Sequence, residues 1–350
     1  MKQDLSLSQL CRTLNDLSVQ KKDYLLPANE LIIKSYSGKS YLDVAGTHFL
    51  IQERAASQLS SIARIPYSYY RRLELEYPEL LDQNVNTLLA KLGKNRLVRT
   101  LGGKVRAILS DRYRKIEHET VMETLLPILD SIKGCEVVSS SLTADRLYLK
   151  AVCKFEKSEV KVGDSVAWGI VLTNSETGCS SIVLQPFAMV LKCTNGMVLP
   201  RCYGSTRRIH LGKQIIDIET YDSLYDSEKD NLPTIIRGEI QSILNPESYN
   251  SVVEKMRAAT EIHIPYFINT LEKIVALYSL SETEKELISY YYNVGKDYSL
   301  WGLVNSVTET SKYAKSYTRA HELETIGSQL LYYGVSTMNP GNGNPLLLSV

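Results

Sequence analysis

The chain has 350 residues, 44% of them hydrophobic and 23% charged, with a formal net charge of +1. That is the composition of an ordinary soluble protein, long enough for one large domain or two smaller ones. No apolar stretch approaches the ~20 residues of a membrane span, and no basic start followed by an apolar run marks a signal peptide, so a cytoplasmic protein without a membrane partner is expected.

In chain order, Leu5, Leu7, Leu10, Leu14 and Leu17 stand at mostly helical spacing and predict a first helix over 5–18. Strands at 31–36 and 41–46 follow, joined across Ser37-Gly38-Lys39-Ser40. Ala55, Ala56, Leu59, Ile62 and Ala63 mark one face of a helix, and Pro66 suits the start of the next, YSYYRRLE. NVNTLLAKLG predicts a helix that stops at Gly93. A hairpin over 96–109 turns on Gly102-Gly103, since both turn positions need positive φ. A helix from Glu117 to Ile132 contains Pro127, which should kink or end it. Strand-like runs at 135–141, 146–155, 165–174, 180–193 and 197–200 predict a mainly antiparallel middle region. Beyond an acidic connector the pattern is helical: Pro233 and Pro246 open two helices, Ser281 to Glu284 is a capping-box pattern, and SLWGLVNSVTETSKYA and YTRAHELETIGSQLLYYG form two more. The expected fold is α+β, mainly antiparallel sheet with flanking helices and then a helical region. Its divisions are a basic region at 1–215, the connector at 216–232, helices at 233–334 and a disordered tail at 335–350.

The small net charge hides an asymmetry. Residues 1–215 carry 30 basic and 21 acidic side chains, whereas 216–350 carry 10 and 18. Nine of the basic residues fall between Lys91 and Lys115, where Asp111 is the one acid. Across the expected turn Leu101 faces Lys104, Thr100 faces Val105, Arg99 faces Arg106 and Val98 faces Ala107. Facing arginines repel. A phosphate oxygen between them would turn repulsion into charge-assisted hydrogen bonds. Carboxylates from elsewhere, such as Glu74, Glu76 or Glu79, are the alternative. Upstream, IPYSYYRRLELEY interleaves Tyr67, Tyr69, Tyr70 and Tyr77 with Arg71 and Arg72, a composition that suits stacked bases and a held backbone. The alternative there is an amphipathic helix with Tyr69, Tyr70 and Leu73 turned inward.

Six cysteines (11, 135, 153, 179, 193, 202) lack a framework spacing and read as reduced thiols. Cys193, Cys202 and His210 are spaced more loosely than zinc ligands, with no evident fourth, so no metal and no cofactor is expected. His118, beside Glu117 and Glu119, reads as a solvated helix start. Walker, nucleophile-elbow, zinc-protease and dinucleotide motifs are absent, and no enzyme is expected. A nuclease would need carboxylates such as Asp111 and Glu117 on Mg²⁺.

Several stretches together carry a resemblance: IPYSYYRRL, NVNTLL, RTLGGKVRAILSDRYR, VGDSVAWGIVLTNSETG, CTNGMV, RRIHLG, WGLVNSVTETSKY and RAHELETIG. In this order they resemble the phage/plasmid-like family known as domain of unknown function 932, over roughly residues 45–335. The resemblance implies a mobile genetic element as the source and raises the expectation of DNA transactions, without supplying catalytic residues. The expected function is therefore nucleic-acid binding, single-stranded DNA favoured, in replication or recombination. Arg99, Lys104 and Arg106 would hold phosphates, Arg112 and Arg114 would extend the track, and Tyr69, Tyr70, Arg71 and Arg72 would stack or clamp. The alternative is a protein-binding module that inhibits or adapts a host factor; a homo-oligomer is a further partner left open.

Overall fold

The computed structural model describes residues 4–44, 46–191, 194–200 and 232–336. Most of the acidic connector, together with Cys193, Cys202, His210 and the tail from 337, lies outside the described residues. The fold is α+β, with two mainly antiparallel sheets rather than one.

Helix α1 (Leu7–Ser18) starts at a reciprocal cap between Ser6 and Gln9, which satisfies two backbone donors that a helix start leaves open. The first sheet contains β1 (Lys21–Pro27), β2 (Ile32–Tyr36), β3 (Lys39–Val44), β4 (Thr47–Ile51), β5 (Asn95–Leu101) and β6 (Lys104–Ser110), in the order β1-β5-β6-β4-β3-β2. Strands β4 and β6 run parallel, and the other pairs are antiparallel. Between β4 and β5 the chain forms α2 (Glu53–Ile62), α3 (Tyr67–Glu76) and α4 (Pro78–Leu89). These helices close a core around Leu42, Leu59, Tyr70, Leu81, Val98 and Val105. The edge strand β2 is covered by α4: Asn86 bonds both the N–H and the carbonyl of Ile33, and Asp82 accepts the N–H of Ser35 at 2.8 Å. Such cover removes a free edge that could pair with another chain.

The β5–β6 turn forms as expected, with φ of +53° at Gly102 and +78° at Gly103. The register does not hold beyond it. Leu101 pairs with Lys104 and Thr100 with Val105, but then the ladder shifts and Arg99 pairs with Ala107. Arg106 is the extra residue of a bulge, so the two arginines do not face each other.

Helix α5 (His118–Asp130) follows, and Pro127 sits inside its last turn. The second sheet has the order β11-β10-β9-β8-β7. Its strands are β7 (Cys135–Leu142), β8 (Leu147–Glu159), β9 (Ser165–Asn174), β10 (Val183–Val190) and β11 (Asn195–Val198). The central strand β9 is buried along nearly its whole length, as a strand covered on both faces must be. Leu147, Leu149, Ile170, Leu172 and Leu184 pack with α1, α5 and α6 (Leu232–Ile243). Trp168 and Ala188 pack with α7 (Pro246–Thr260), α8 (Phe267–Tyr278), α9 (Glu282–Gly295), α10 (Leu300–Thr310) and α11 (Tyr317–Ser336). The capping box at Ser281 is present at the start of α9. Among the described residues, no helix is long and apolar enough to cross a membrane.

Candidate nucleic-acid interface

The arginines at the centre of the sequence reading are not on the surface. Arg99 is 1% exposed and Arg106 is 6% exposed. Both are neutralised by the chain's own carboxylates, which corrects the expectation that they wait for phosphate. Strand β1 pairs Asp23 opposite Arg99, and the Arg99 Nε donates to Asp23 Oδ1 at 3.0 Å. The Arg99 guanidinium also pairs with Glu117, and Arg106 pairs with Glu176. Lys21 on β1 completes the cluster, 2.7 Å from both Glu119 and Glu176, while Lys115 lies 3.2 Å from Asp23. Four carboxylates thus meet four cations, as buried charges require. None of the carboxylates proposed from sequence as neutralisers takes part: Glu74 pairs with Arg71 and Glu76 with Arg72.

Glu176 does a second job. Its carboxylate accepts the backbone N–H of His118 at 2.6 Å, in the first turn of α5, where Glu117 makes no side-chain cap of its own. An anion at a helix start is favoured by the helix dipole. Arg106, Lys21 and this position hold the Glu176 carboxyl well below the ordinary range, despite burial acting the other way. His118 is buried rather than solvated, and burial pushes its pKa down to about 4. Its Nδ1 lies 2.9 Å from the amide Nδ2 of Asn174, so the neutral ring accepts there. Glu117, Glu119 and Glu176 bring one oxygen each within 4.8 Å of one another. The ammonium of Lys21 stands against all three, and Asp111 is exposed and outside the group.

The other expected residues divide by exposure. Tyr70 is fully buried in the first core and cannot stack on a base, whereas Tyr69 is 40% exposed. Arg71 and Arg72 are held by Glu74 and Glu76, partners one helical turn away on α3. Arg114 is half-buried. Lys104 and Arg112 are exposed, and no carboxylate among the described residues pairs with either. Lys104 is at the hairpin end of β6 and Arg112 just beyond the other end.

What the sequence reading did not single out is a cleft of about 430 Å³ at that second end. Arg64, Lys91, Lys94 and Arg96 line it with Ser61, Ile62, Leu92 and Gly93, and no carboxylate contributes. Arg64, Lys91 and Lys94 are exposed, and Arg96 is half-buried with its Nε enclosed and lacking a hydrogen-bond partner. Arg96 pairs across the sheet with Ser110, two positions from Arg112. Backbone geometry builds the other wall. Helix α2 ends with the N–H of Ile65 on the carbonyl of Ser60 and the N–H of Arg64 on that of Ser61, with Arg64 at φ +57°. This left-handed position normally takes glycine, because a side chain there is strained. Lys91, Lys94 and Arg96 were visible in the sequence as part of the basic run; Arg64 joins them only through the fold.

The geometry defines an α+β protein of two sheets with a buried ionic junction and an exposed cationic cleft. The chain matches the family model described as Domain of unknown function (DUF932) over residues 106–328 and belongs to that family. Arg64, Lys91, Lys94 and Arg96 precede the matched stretch, and Glu117, Glu119 and Glu176 fall within it. No curated protein and no solved structure matches the chain.

Proposed function

We propose that this chain binds nucleic acid, with single-stranded DNA as the favoured form, through phosphates seated in the cleft of Arg64, Lys91, Lys94 and Arg96. The observation that carries the reading is this concave cluster of four cations with no acidic lining. A phosphate there would relieve their mutual repulsion through charge-assisted hydrogen bonds. Arg112 would extend the track from the cleft. Lys104 would not, since six residue steps along β6 separate it from that end by roughly 20 Å. The exposed ring of Tyr69, on the helix that follows Arg64, is available for stacking. Replication or recombination of a phage, prophage or plasmid, in the cytoplasm, is the setting that the family resemblance favours.

The test is a salt titration with single-stranded DNA. Each phosphate contact contributes about −0.7 to the log–log slope, so K91Q/K94Q should flatten it by about 1.4. Arg64 gives a sharper test. Glycine suits its backbone, so R64G should leave stability unchanged or raise it by up to about 1 kcal/mol, while weakening binding. Binding that is indifferent to both changes would overturn the proposal.

A second reading, a protein-binding module that inhibits or adapts a host factor, is favoured by a different observation. An apolar groove of about 930 Å³ between α8 and α9 is lined by Phe267, Ile268, Leu271, Tyr290 and Val294, with Ile268 72% exposed. A partner held there would survive nuclease digestion of a lysate and be released by I268E, with strand binding unaffected.

A further inference from the structure

Two thiols outside the ionic cluster and the cleft stand in direct opposition. Cys135 opens β7 and pairs across the antiparallel ladder with Cys153 of β8. Directly opposed residues in such a ladder have Cα atoms about 4.5–5.5 Å apart, inside the range a disulfide spans. The two Sγ atoms are 2.8 Å apart, so closing to a bond of about 2.05 Å needs only a small rotation. Both cysteines are free.

The two are not equivalent. Cys153 is 1% exposed and Cys135 is half-buried, so reagents reach Cys135 first. The Cys153 S–H donates to the Cys135 sulfur, and that hydrogen bond holds the Cys135 thiol below its ordinary range. The same bond, with burial, pushes Cys153 up. The surroundings also place the pair at the end of an edge ladder. The β7–β8 ladder shifts register after Val137 and the β8–β9 ladder shifts after Cys153, so the pair lies in a short regular segment, Cys135–Val137 with Ala151–Cys153, at the sheet edge.

We propose that Cys135 and Cys153 form a thiol–disulfide redox pair, with Cys135 as the attacking sulfur, Cys153 as the resolving one and a low-molecular-weight disulfide as oxidant. The Cys135 thiolate attacks one sulfur of the oxidant, and the other leaves as a thiolate. Cys153 then loses its proton and attacks Cys135 Sγ, expelling the second thiolate. Two protein thiols are oxidised to one disulfide, and one small disulfide is reduced to two thiols. The new bond staples the start of the edge strand β7 to β8, which is itself paired to β9 at Cys153.

The experiment treats the folded full chain with oxidised glutathione, alkylates the remaining thiols and digests with trypsin without reduction. The expected product joins the peptide 134–146 to the peptide 151–154, two hydrogens lighter than their sum. C153S should stop at a stable glutathione adduct on Cys135, and C135S should leave Cys153 unmodified. Three outcomes would each overturn the proposal: a persistent adduct on the native chain, both cysteines recovered alkylated, or linkage of either one to another cysteine. The native-chain result decides even if a variant fails to fold.

Discussion

Arg99 and Arg106 show how an arginine's surroundings outweigh its residue type. Each sits in a hairpin rich in cations, yet each is closed in by carboxylates from far along the chain: Asp23 on β1, Glu117 before α5 and Glu176 after β9. Replacing both with alanine should therefore lower stability without changing the salt slope of any strand binding, the reverse of what an exposed phosphate clamp would give. Removing one side of a buried pair typically costs about 3–5 kcal/mol. The neutral histidines make a pH dependence at the same scale. The ring of His118 is held down to about 4 and that of His321 to about 3, both by burial. Charged groups face each ring: Glu176, Lys21, Arg106 and Arg99 around His118, and Lys150 and Arg146 near His321. The unfolded chain takes up protons at these rings near pH 6.5 and the folded chain does not, so stability is lost as pH falls below 6.5. Two such groups give a slope approaching about 2.7 kcal/mol per pH unit. Glu117, raised mainly by burial, acts the other way closer to its own titration, and Asp23 and Glu176, both lowered, add to the loss at lower pH still. Urea midpoints at about pH 7 and about pH 5.5 should separate clearly, and H118Q should remove part of the difference.

At the scale of elements, β9 and the β5–β6 hairpin put different demands on glycine. Gly169 lies in the middle of β9, where a Cβ would stand 2.0 Å from the backbone carbonyl of Ala151 on β8. Gly103 has φ +78° and open space around it. G169A should therefore cost at least roughly 3 kcal/mol, because backbone must move in a packed sheet. G103A should cost only about 1–2 kcal/mol of backbone strain, a ranking that denaturant midpoints would check. The same elements explain what could be read from sequence. Turn glycines, capping boxes and buried apolar runs are local signals, so the hairpin, the second sheet and most helices could be placed. Strand β1, KKDYLLP, and β4, THFLI, could not, because neither alternates cleanly and each is fixed by partners distant in the chain. The bulge at Arg106 left no local mark either. At the site, the basic run was visible, but its division into a neutralised half and an exposed half was not. The neutralising Glu176 is 70 residues from Arg106, in a stretch NSETG that reads as an ordinary polar turn. Asn174, Ser175, Glu176 and Thr177 are in fact all buried.

At the scale of the molecule, that buried turn joins the two sheets. The hydrophobic cluster of the first sheet runs from Leu31 to Ile108 and shares no residue with the clusters of the second. Polar contacts bridge the gap. Arg54 donates to the carbonyl of Gly178, Gln58 to that of Thr177 at 2.8 Å, Tyr113 to that of Ser175 and Arg99 to that of Glu176. The side chain of Glu176 then ties Lys21 and Arg106 of the first sheet to the start of α5. Each sheet has an apolar core of its own, so its stability does not depend on the junction, whereas the cooperativity between them does. E176Q keeps the size of the side chain but removes its charge, leaving Lys21 and Arg106 short of a partner in a site with little water. The expected cost is about 3–5 kcal/mol. Because that cost falls on the junction and not on either core, calorimetry should show one transition for the native chain and two for E176Q. A single transition that merely moves to lower temperature would mean that the sheets are coupled by something other than this turn. The cleft supplies an internal control: its residues lie at the end of α2, in the connections that follow α2 and α4 and at the start of β5, away from the junction, so K91Q/K94Q should leave the number of transitions unchanged.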